Sequence, residues 1–401
     1  MVMEKGKKTG VLTFWYGDSN YGQILQCYAL QRVLEQLGCE PYVIRFVGYG
    51  ESRLRKLVKQ LLPFLRRKPS PTDRLRGFEA FRREHFRMSP LYTSIAQIRS
   101  CPPRYDAYIA GSDQIWKQSL RNPQQPAYFL DFGRPEVRRI AYAASFGMEH
   151  YPNEDKAQLK GLLQRFDAIS CREYSGVEIC RDLGLAAQKV LDPTLLLTRE
   201  EYLNLNPNLN EKAAIEREQS QTGLSFAECE QARPKVNENS SLFTLHSSLF
   251  IYSLNINSAS EIRWSELREA VEGKVVVTPA AGYNESAELF GSEVEYLYAT
   301  PAQWIAQIAS ASLVVTTSFH GIAFSILMHT PFVYVPLKGE FQGANNRILD
   351  LLRDLRLEER ILSERTTYGS IIARPIDWAS VDALLARMRQ DSLEFLKKAL
   401  K

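Results

Sequence analysis

The sequence predicts an α/β protein of two Rossmann-like, doubly wound domains with a central cleft, and three observations carry that prediction. Short β-branched runs alternate with helix-period segments from about residue 10 to residue 191, the pattern of a parallel sheet with helices on both faces. A stretch from about 205 to 245, rich in Asn, Glu, Gln and Ser, then lacks any sustained apolar period. Beyond it the alternation resumes at Leu249. A chain of 401 residues is long enough for two cores. The expected division is 1–200, a polar linker or insertion at 201–247, and 248–401. In such folds, ligands sit at the carboxyl ends of the strands.

Taken in order, residues 10–16 read as a buried strand and 17–22 as a polar loop. A helix follows over 24–37, where Leu30, Val33, Leu34 and Leu37 recur at helical spacing and Gly38 ends the run. Residues 41–46, 105–110, 139–146, 168–171 and 189–191 are strand-like, with helical patterns at 159–166 and 175–183 among them. In the second half, strands are expected at 249–254, 274–278, 313–316 and 332–335. Helices are expected at 261–271, 302–311, 346–355 and 381–400.

Composition narrows the class. An apolar fraction of 45% with 24% charged residues is that of an ordinary globular protein, and a net charge of +4 gives no reason to expect nucleic acid as a partner. The lysines at 5, 7 and 8 lead straight into a strand-like run without a signal-peptide core, and no apolar stretch is long enough to span a bilayer. The six cysteines show neither CxxC pairing nor zinc spacing, so free thiols in a reducing cytoplasm are expected, with no metal site. Residues 53–68 interleave seven basic side chains with leucines and contain no acid. That stretch suits peripheral contact with an anionic membrane face; a helix packed on its domain with a solvated basic side is the other reading.

Four strand ends carry polar clusters. Asp18-Ser19-Asn20-Tyr21-Gly22 precedes a helix and reads as a cap or as a ligand loop. Gly111-Ser112-Asp113-Gln114-Ile115-Trp116 reads as a cap over a buried tryptophan, or as a sugar site in which Trp116 offers a ring face and Asp113 a charged acceptor. Arg172, next to Glu173, has the fork geometry for phosphate or carboxylate. Ser318-Phe319-His320-Gly321 joins a strand to an apolar helix and sets His320 where helix amides point outward, with a ring able to move protons near neutral pH. Asn345-Asn346-Arg347 opens a later helix and points to the same cleft. Dinucleotide, P-loop, zinc-protease and serine-hydrolase motifs are absent.

In this order the clusters resemble the polysaccharide pyruvyl transferase family. The matching segments are Asn20-Tyr21-Gly22 with Leu25-Gln26 and Ala29-Leu30; Gly111-Ser112-Asp113-Gln114 with Trp116; and Tyr142-Ala143-Ala144-Ser145-Phe146-Gly147. Arg172-Glu173 with Ser175-Gly176, Leu191-Asp192-Pro193-Thr194, and Ser318-Phe319-His320-Gly321 complete the set. The resemblance implies a GT-B-like, two-Rossmann fold in the cytoplasm or at the inner membrane face. It implies transfer of a pyruvyl group from phosphoenolpyruvate to a saccharide acceptor, lipid-linked or free, with no cofactor beyond that co-substrate. His320 would then be proton donor or phosphate partner, and Asp113 a base or sugar ligand. Arg172, Ser318, Gly321, Asn346 and Arg347 would face the donor; Asn20, Tyr21, Gly22, Gly111, Ser112 and Trp116 would face the acceptor. A nucleotide-sugar-dependent glycosyltransferase, or a non-catalytic relative that binds ligand in the cleft, are the alternatives on this architecture. The chain departs from the family pattern at Thr317, where relatives often carry an acid, and in the length of the 205–245 segment.

Overall fold

The computed structural model of the chain describes residues 6–17, 20–48, 76–206, 248–279 and 289–401. The basic 53–68 stretch, nearly all of the polar 205–245 segment, and Asp18 and Ser19 lie outside the described residues.

Two parallel sheets organise the chain. The first has seven strands: β1 (Lys8–Leu12), β2 (Glu40–Phe46), β3 (Met88–Tyr92), β4 (Ala107–Ala110), β5 (Arg138–Ala144), β6 (Ala168–Cys171) and β7 (Gln188–Lys189). Their spatial order is β3-β2-β1-β4-β5-β6-β7. The second has β8 (Ser248–Tyr252), β9 (Lys274–Val277), β10 (Glu295–Tyr296), β11 (Leu313–Thr316) and β12 (Phe332–Tyr334), ordered β10-β9-β8-β11-β12. Each sheet reverses direction of growth beside its first strand, between β1 and β4 and between β8 and β11. Those are the switch points at which doubly wound sheets open a crevice for ligand. The α/β, two-Rossmann architecture is as expected.

The helices that flank the switch points explain how the sheets meet. Helix α1 (Tyr21–Gln36) starts where the Asn20 side chain accepts from the Gln23 amide. Among the described residues the first unit also has helices α2 (Phe78–His85), α3 (Ile95–Ser100), α4 (Lys156–Leu163), α5 (Tyr174–Asp182) and α6 (Arg199–Leu203). In the second, α7 (Trp264–Ala270), α8 (Pro301–Ser310), α9 (Phe319–Met328), α10 (Asn346–Asp354), α11 (Tyr368–Ile372) and α12 (Trp378–Leu400) follow. Every residue of α9 is buried. A helix apolar all round must be enclosed, and α9 is enclosed between its own unit and the first. Tyr202 packs edge-on against Phe324 at 4.7 Å, and Tyr21 stacks on Trp304 at 5.2 Å while its hydroxyl donates to the Ala299 carbonyl.

The last helix, expected with the second unit, reaches back to the first. Its start is held by the second unit, where Trp378 stacks on His329 and Asp382 meets the same ring at 2.9 Å. Its far half lies on the first sheet: the Leu191 amide donates to Ser392, and Arg389 donates to the carbonyls of Leu195 and Leu197. Two further pairs, Lys189 with Asp354 and the Tyr174 amide with Asp350, tie α10 to the ends of β6 and β7.

Candidate active site

Four chain segments, each just past a strand of one sheet or at the start of a helix, bring charged side chains together between the two units. Asp192 is the hub. Its carboxylate is buried at 1% residue exposure and saturated with donors: Ser112 Oγ (2.6 Å) and Arg172 Nη1 (2.7 Å) on Oδ2, the Thr194 hydroxyl (2.7 Å) and amide (3.0 Å) on Oδ1. His320 of the second unit turns Nε2 toward Oδ1 at 3.7 Å, too long for a hydrogen bond but close enough for charge attraction. Burial alone would raise the Asp192 pKa. The His320 ring, then Arg172 and Ser112, outweigh it and hold the carboxyl well below its usual range.

That balance has a consequence for acid stability. The folded pKa lies below the ordinary 3.8, so as pH falls the unfolded chain takes up this proton first. The stabilisation is complete above that value and is lost progressively below it. Urea titrations across pH about 2–5 should show a shallower loss of stability in Asp192→Asn than in the wild type. Equal slopes would remove Asp192 from the acid response.

Arg172 bridges two carboxylates, with Nη2 3.7 Å from Asp113 Oδ1, and its guanidinium lies 4.9 Å from the Phe319 ring centre. Burial would lower its pKa, but Asp192, Asp113 and Glu173 more than offset this and raise it. Arg347, at the start of α10, lies 5.9 Å from the centre of the same ring. Its Nε and Nη1 are sealed from solvent and have no hydrogen-bond partner among the described residues. Burial, reinforced by the neighbouring Arg172 charge, lowers its pKa to about 10. Arg172 likewise leaves Nε and Nη2 without a hydrogen bond, while its Nη1 is bound to Asp192.

Besides facing these cations, the nearby acids accept from the backbone. Glu173 Oε1 accepts from the Phe146 amide, and burial raises the pKa of its carboxyl against the pull of Arg172 and Arg347. Asp113 Oδ1 accepts from the amide of Gln114. Asp113 also sits at φ +79°, a conformation an Asp tolerates better than most residues, and strain of this kind concentrates at functional sites. Lys117 stands at the rim, its pKa lowered by partial burial and then by Arg347. Guanidinium donors facing a shared aromatic ring, without partners of their own, make a receptacle for an anion.

The turn into α9 is built from short polar side chains. Ser318 caps the helix by accepting from the Gly321 amide, and a Cβ on Gly321 would stand 3.0 Å from Thr316 Cβ, so only glycine fits there. Thr317 accepts from the Leu254 amide (2.7 Å) and donates to the Leu254 carbonyl (2.8 Å). An ionised acid in this place accepts but cannot donate, so the threonine ties the β8 loop to the β11 turn at both groups.

The structure therefore gathers His320, Asp113, Arg172, Arg347, Ser112, Ser318 and Gly22, and corrects other expectations by position. Trp116 is 0% exposed, stacked on Phe129 with its indole N–H on the Tyr128 carbonyl, so it offers no face to a sugar. Tyr21 is a buried interface residue, and Gly111 packs under Leu30, Thr13 and Val11. Asn20 serves as the α1 cap, and Asn346 donates outward to Glu149 at 3.2 Å. Sequence reasoning passed over Asp192 as a site residue; the signal was an Asp-Pro-Thr turn directly after a strand-like run. Among the described residues no group of three or more His, Cys, Asp or Glu is placed to hold a metal, and no helix is long and apolar enough to cross a membrane.

A family model described as polysaccharide pyruvyl transferase matches residues 20–338. No curated protein matches the sequence. Solved structures similar to the chain include UDP-GlcNAc 2-epimerase from Neisseria meningitidis bound to UDP-GlcNAc, at 10% identity and TM-score 0.46, covering 98% of this chain and 99% of that one. Another is UGT89C1 from Arabidopsis thaliana, at 10% identity and TM-score 0.48, covering 99% and 100%.

Proposed function

The chain belongs to the polysaccharide pyruvyl transferase family, and from that premise we propose that it moves a pyruvyl group from phosphoenolpyruvate to a sugar of a cell-surface polysaccharide or its precursor. The observation that carries this reading is the unpaired, solvent-sealed Nε and Nη1 of Arg347 beside Arg172. Phosphoenolpyruvate bears a carboxylate and a phosphate, and each is matched by a guanidinium fork. The orphan amides at the start of α9 add donors for phosphate oxygen.

Chemically, a proton adds to the methylene carbon and leaves positive character on the adjacent carbon. A sugar hydroxyl attacks that carbon and gives up its proton. The bond to phosphate oxygen then breaks, and a second hydroxyl of the same sugar closes the ketal and releases the second proton. One of the two hydroxyl protons balances the new methyl group and the other leaves with phosphate. His320 carries protons in this sequence, and Asp113 orients or deprotonates the acceptor. No metal and no cofactor beyond the co-substrate enters the scheme, and the acceptor is a saccharide, free or lipid-linked.

Thermal-shift titration of the full chain with phosphoenolpyruvate, set beside uridine and guanosine diphosphate sugars, tests the donor. Stabilisation by phosphoenolpyruvate alone is expected, rising by about 2.7 kcal/mol at a hundredfold excess over Kd. Stabilisation only by the nucleotide sugars would replace this reading with that of a glycosyltransferase.

A further inference from the structure

The seat of His320 distinguishes its two ring nitrogens. Nε2 is buried and faces Asp192 Oδ1. Every other group around that carboxylate donates to it, so it carries no proton of its own to offer. A lone pair on Nε2 would be repelled there, whereas an N–H is attracted. Nδ1 lies against the first turn of α1: a Cβ on Gly22 would stand 2.7 Å from Cε1 and closer still to Nδ1. Among the described residues Nδ1 has no hydrogen-bond partner, and unlike Nε2 it is not sealed from solvent. The ring thus enters the first unit through a gap that exists because residue 22 has no side chain.

We propose that Nδ1 is the nitrogen His320 presents to the ligand, with Asp192 as the positioning residue that keeps the proton on Nε2 and Gly22 as the residue whose missing Cβ gives Nδ1 its place. The assignment deepens the transferase reading and rests on it for the identity of the ligand. Any proton His320 gives or takes is carried at Nδ1, while the Nε2–H stays directed at Asp192. Contacts of this kind are often long before ligand binds and tighten in the complex, which fits the 3.7 Å separation. Because Gly22 and Asp192 belong to the first unit and His320 to the second, the reacting nitrogen is oriented only where the two units are packed together as described.

The first reading of the test is the tautomer itself, which needs no substrate. With five histidines in the chain, imidazole nitrogen spectra of the full-length protein labelled with 15N-histidine contain few signals, and His320→Gln identifies the one in question. The neutral ring is expected to be the Nε2–H tautomer. In Gly22→Ala the His320 signals should move and kcat should fall by about 10²-fold, with the KM for phosphoenolpyruvate little changed, as a misplaced reacting group would give. In Asp192→Ala both tautomers should appear; if that variant does not fold, the other two measurements decide. An Nδ1–H tautomer in the wild type, or a Gly22→Ala protein with unmoved His320 signals, would overturn the proposal. Absence of turnover with phosphoenolpyruvate would fault the donor assignment and leave the tautomer result standing.

Discussion

Replacing His320 with alanine should leave the fold intact and reduce phosphate release from phosphoenolpyruvate by about 10²–10⁴-fold, the range general acid–base groups contribute. Both halves of the expectation follow from the surroundings of the ring. The Asp192 carboxylate keeps four hydrogen bonds, from Ser112, Arg172 and both donors of Thr194, after the imidazole is gone. It is therefore not left unsatisfied, and the melting temperature should move little. The apolar enclosure of α9 by Phe319, Ile322, Phe324 and their neighbours remains, and only the edge-on contact of the imidazole with Phe319 is lost. Donor binding should survive, since the guanidinium donors of Arg172 and Arg347 are untouched. A variant that binds phosphoenolpyruvate at near wild-type affinity but turns it over slowly has lost a transition-state interaction. Full activity in His320→Ala would remove the ring from the chemistry.

How legible this was in the sequence depends on what each residue answers to. Strands buried on both faces are dictated by local composition, and those at 168–171 and 313–316 fall where the apolar runs place them. Edge strands answer to a partner on one side only. Strand β3 contains Pro90 and exposes the middle of its run, and β10 has two residues, so neither gave a signal. The helix expected over 261–271 is interrupted at Arg263, which takes φ +53° between a short 3₁₀ turn and α7. A single residue in the left-handed region is not visible in an apolar period.

The site shows the same division. That His320 stands at a helix start was legible from the strand–turn–helix pattern of its own neighbours. That Trp116 turns into the core was one of two open readings, because the turn at Asp113 decides which way the following residues face. The role of Asp192 was the least legible of all. It exists only because Ser112, Arg172 and His320, far apart along the chain, arrive around one carboxylate.

Arg347→Met should make the unliganded protein more stable and a poorer binder of phosphoenolpyruvate, two effects of opposite sign from one side chain. In the free protein the Arg347 guanidinium holds two donors away from water without partners and lies close to a second guanidinium. An unsatisfied buried polar group costs about 1–3 kcal/mol. Methionine has a similar reach, packs favourably against the Phe319 ring and brings neither donor nor charge. A gain of about 1 kcal/mol raises the thermal midpoint by roughly 2–4 °C in domains of 150–250 residues, and less in a longer chain. The same replacement removes charge-assisted hydrogen bonds to the donor, each worth about 1.5–3 kcal/mol, so affinity should fall by roughly 10- to 150-fold. Calorimetry gives both quantities on the same sample. A purely structural arginine predicts the reverse for stability, since removing one partner of a satisfied buried pair destabilises by about 3–5 kcal/mol. A lower midpoint with unchanged affinity would therefore place Arg347 in the scaffold. A higher midpoint with weakened binding would show that the fold tolerates an unfavourable arginine because the ligand supplies what its neighbours do not.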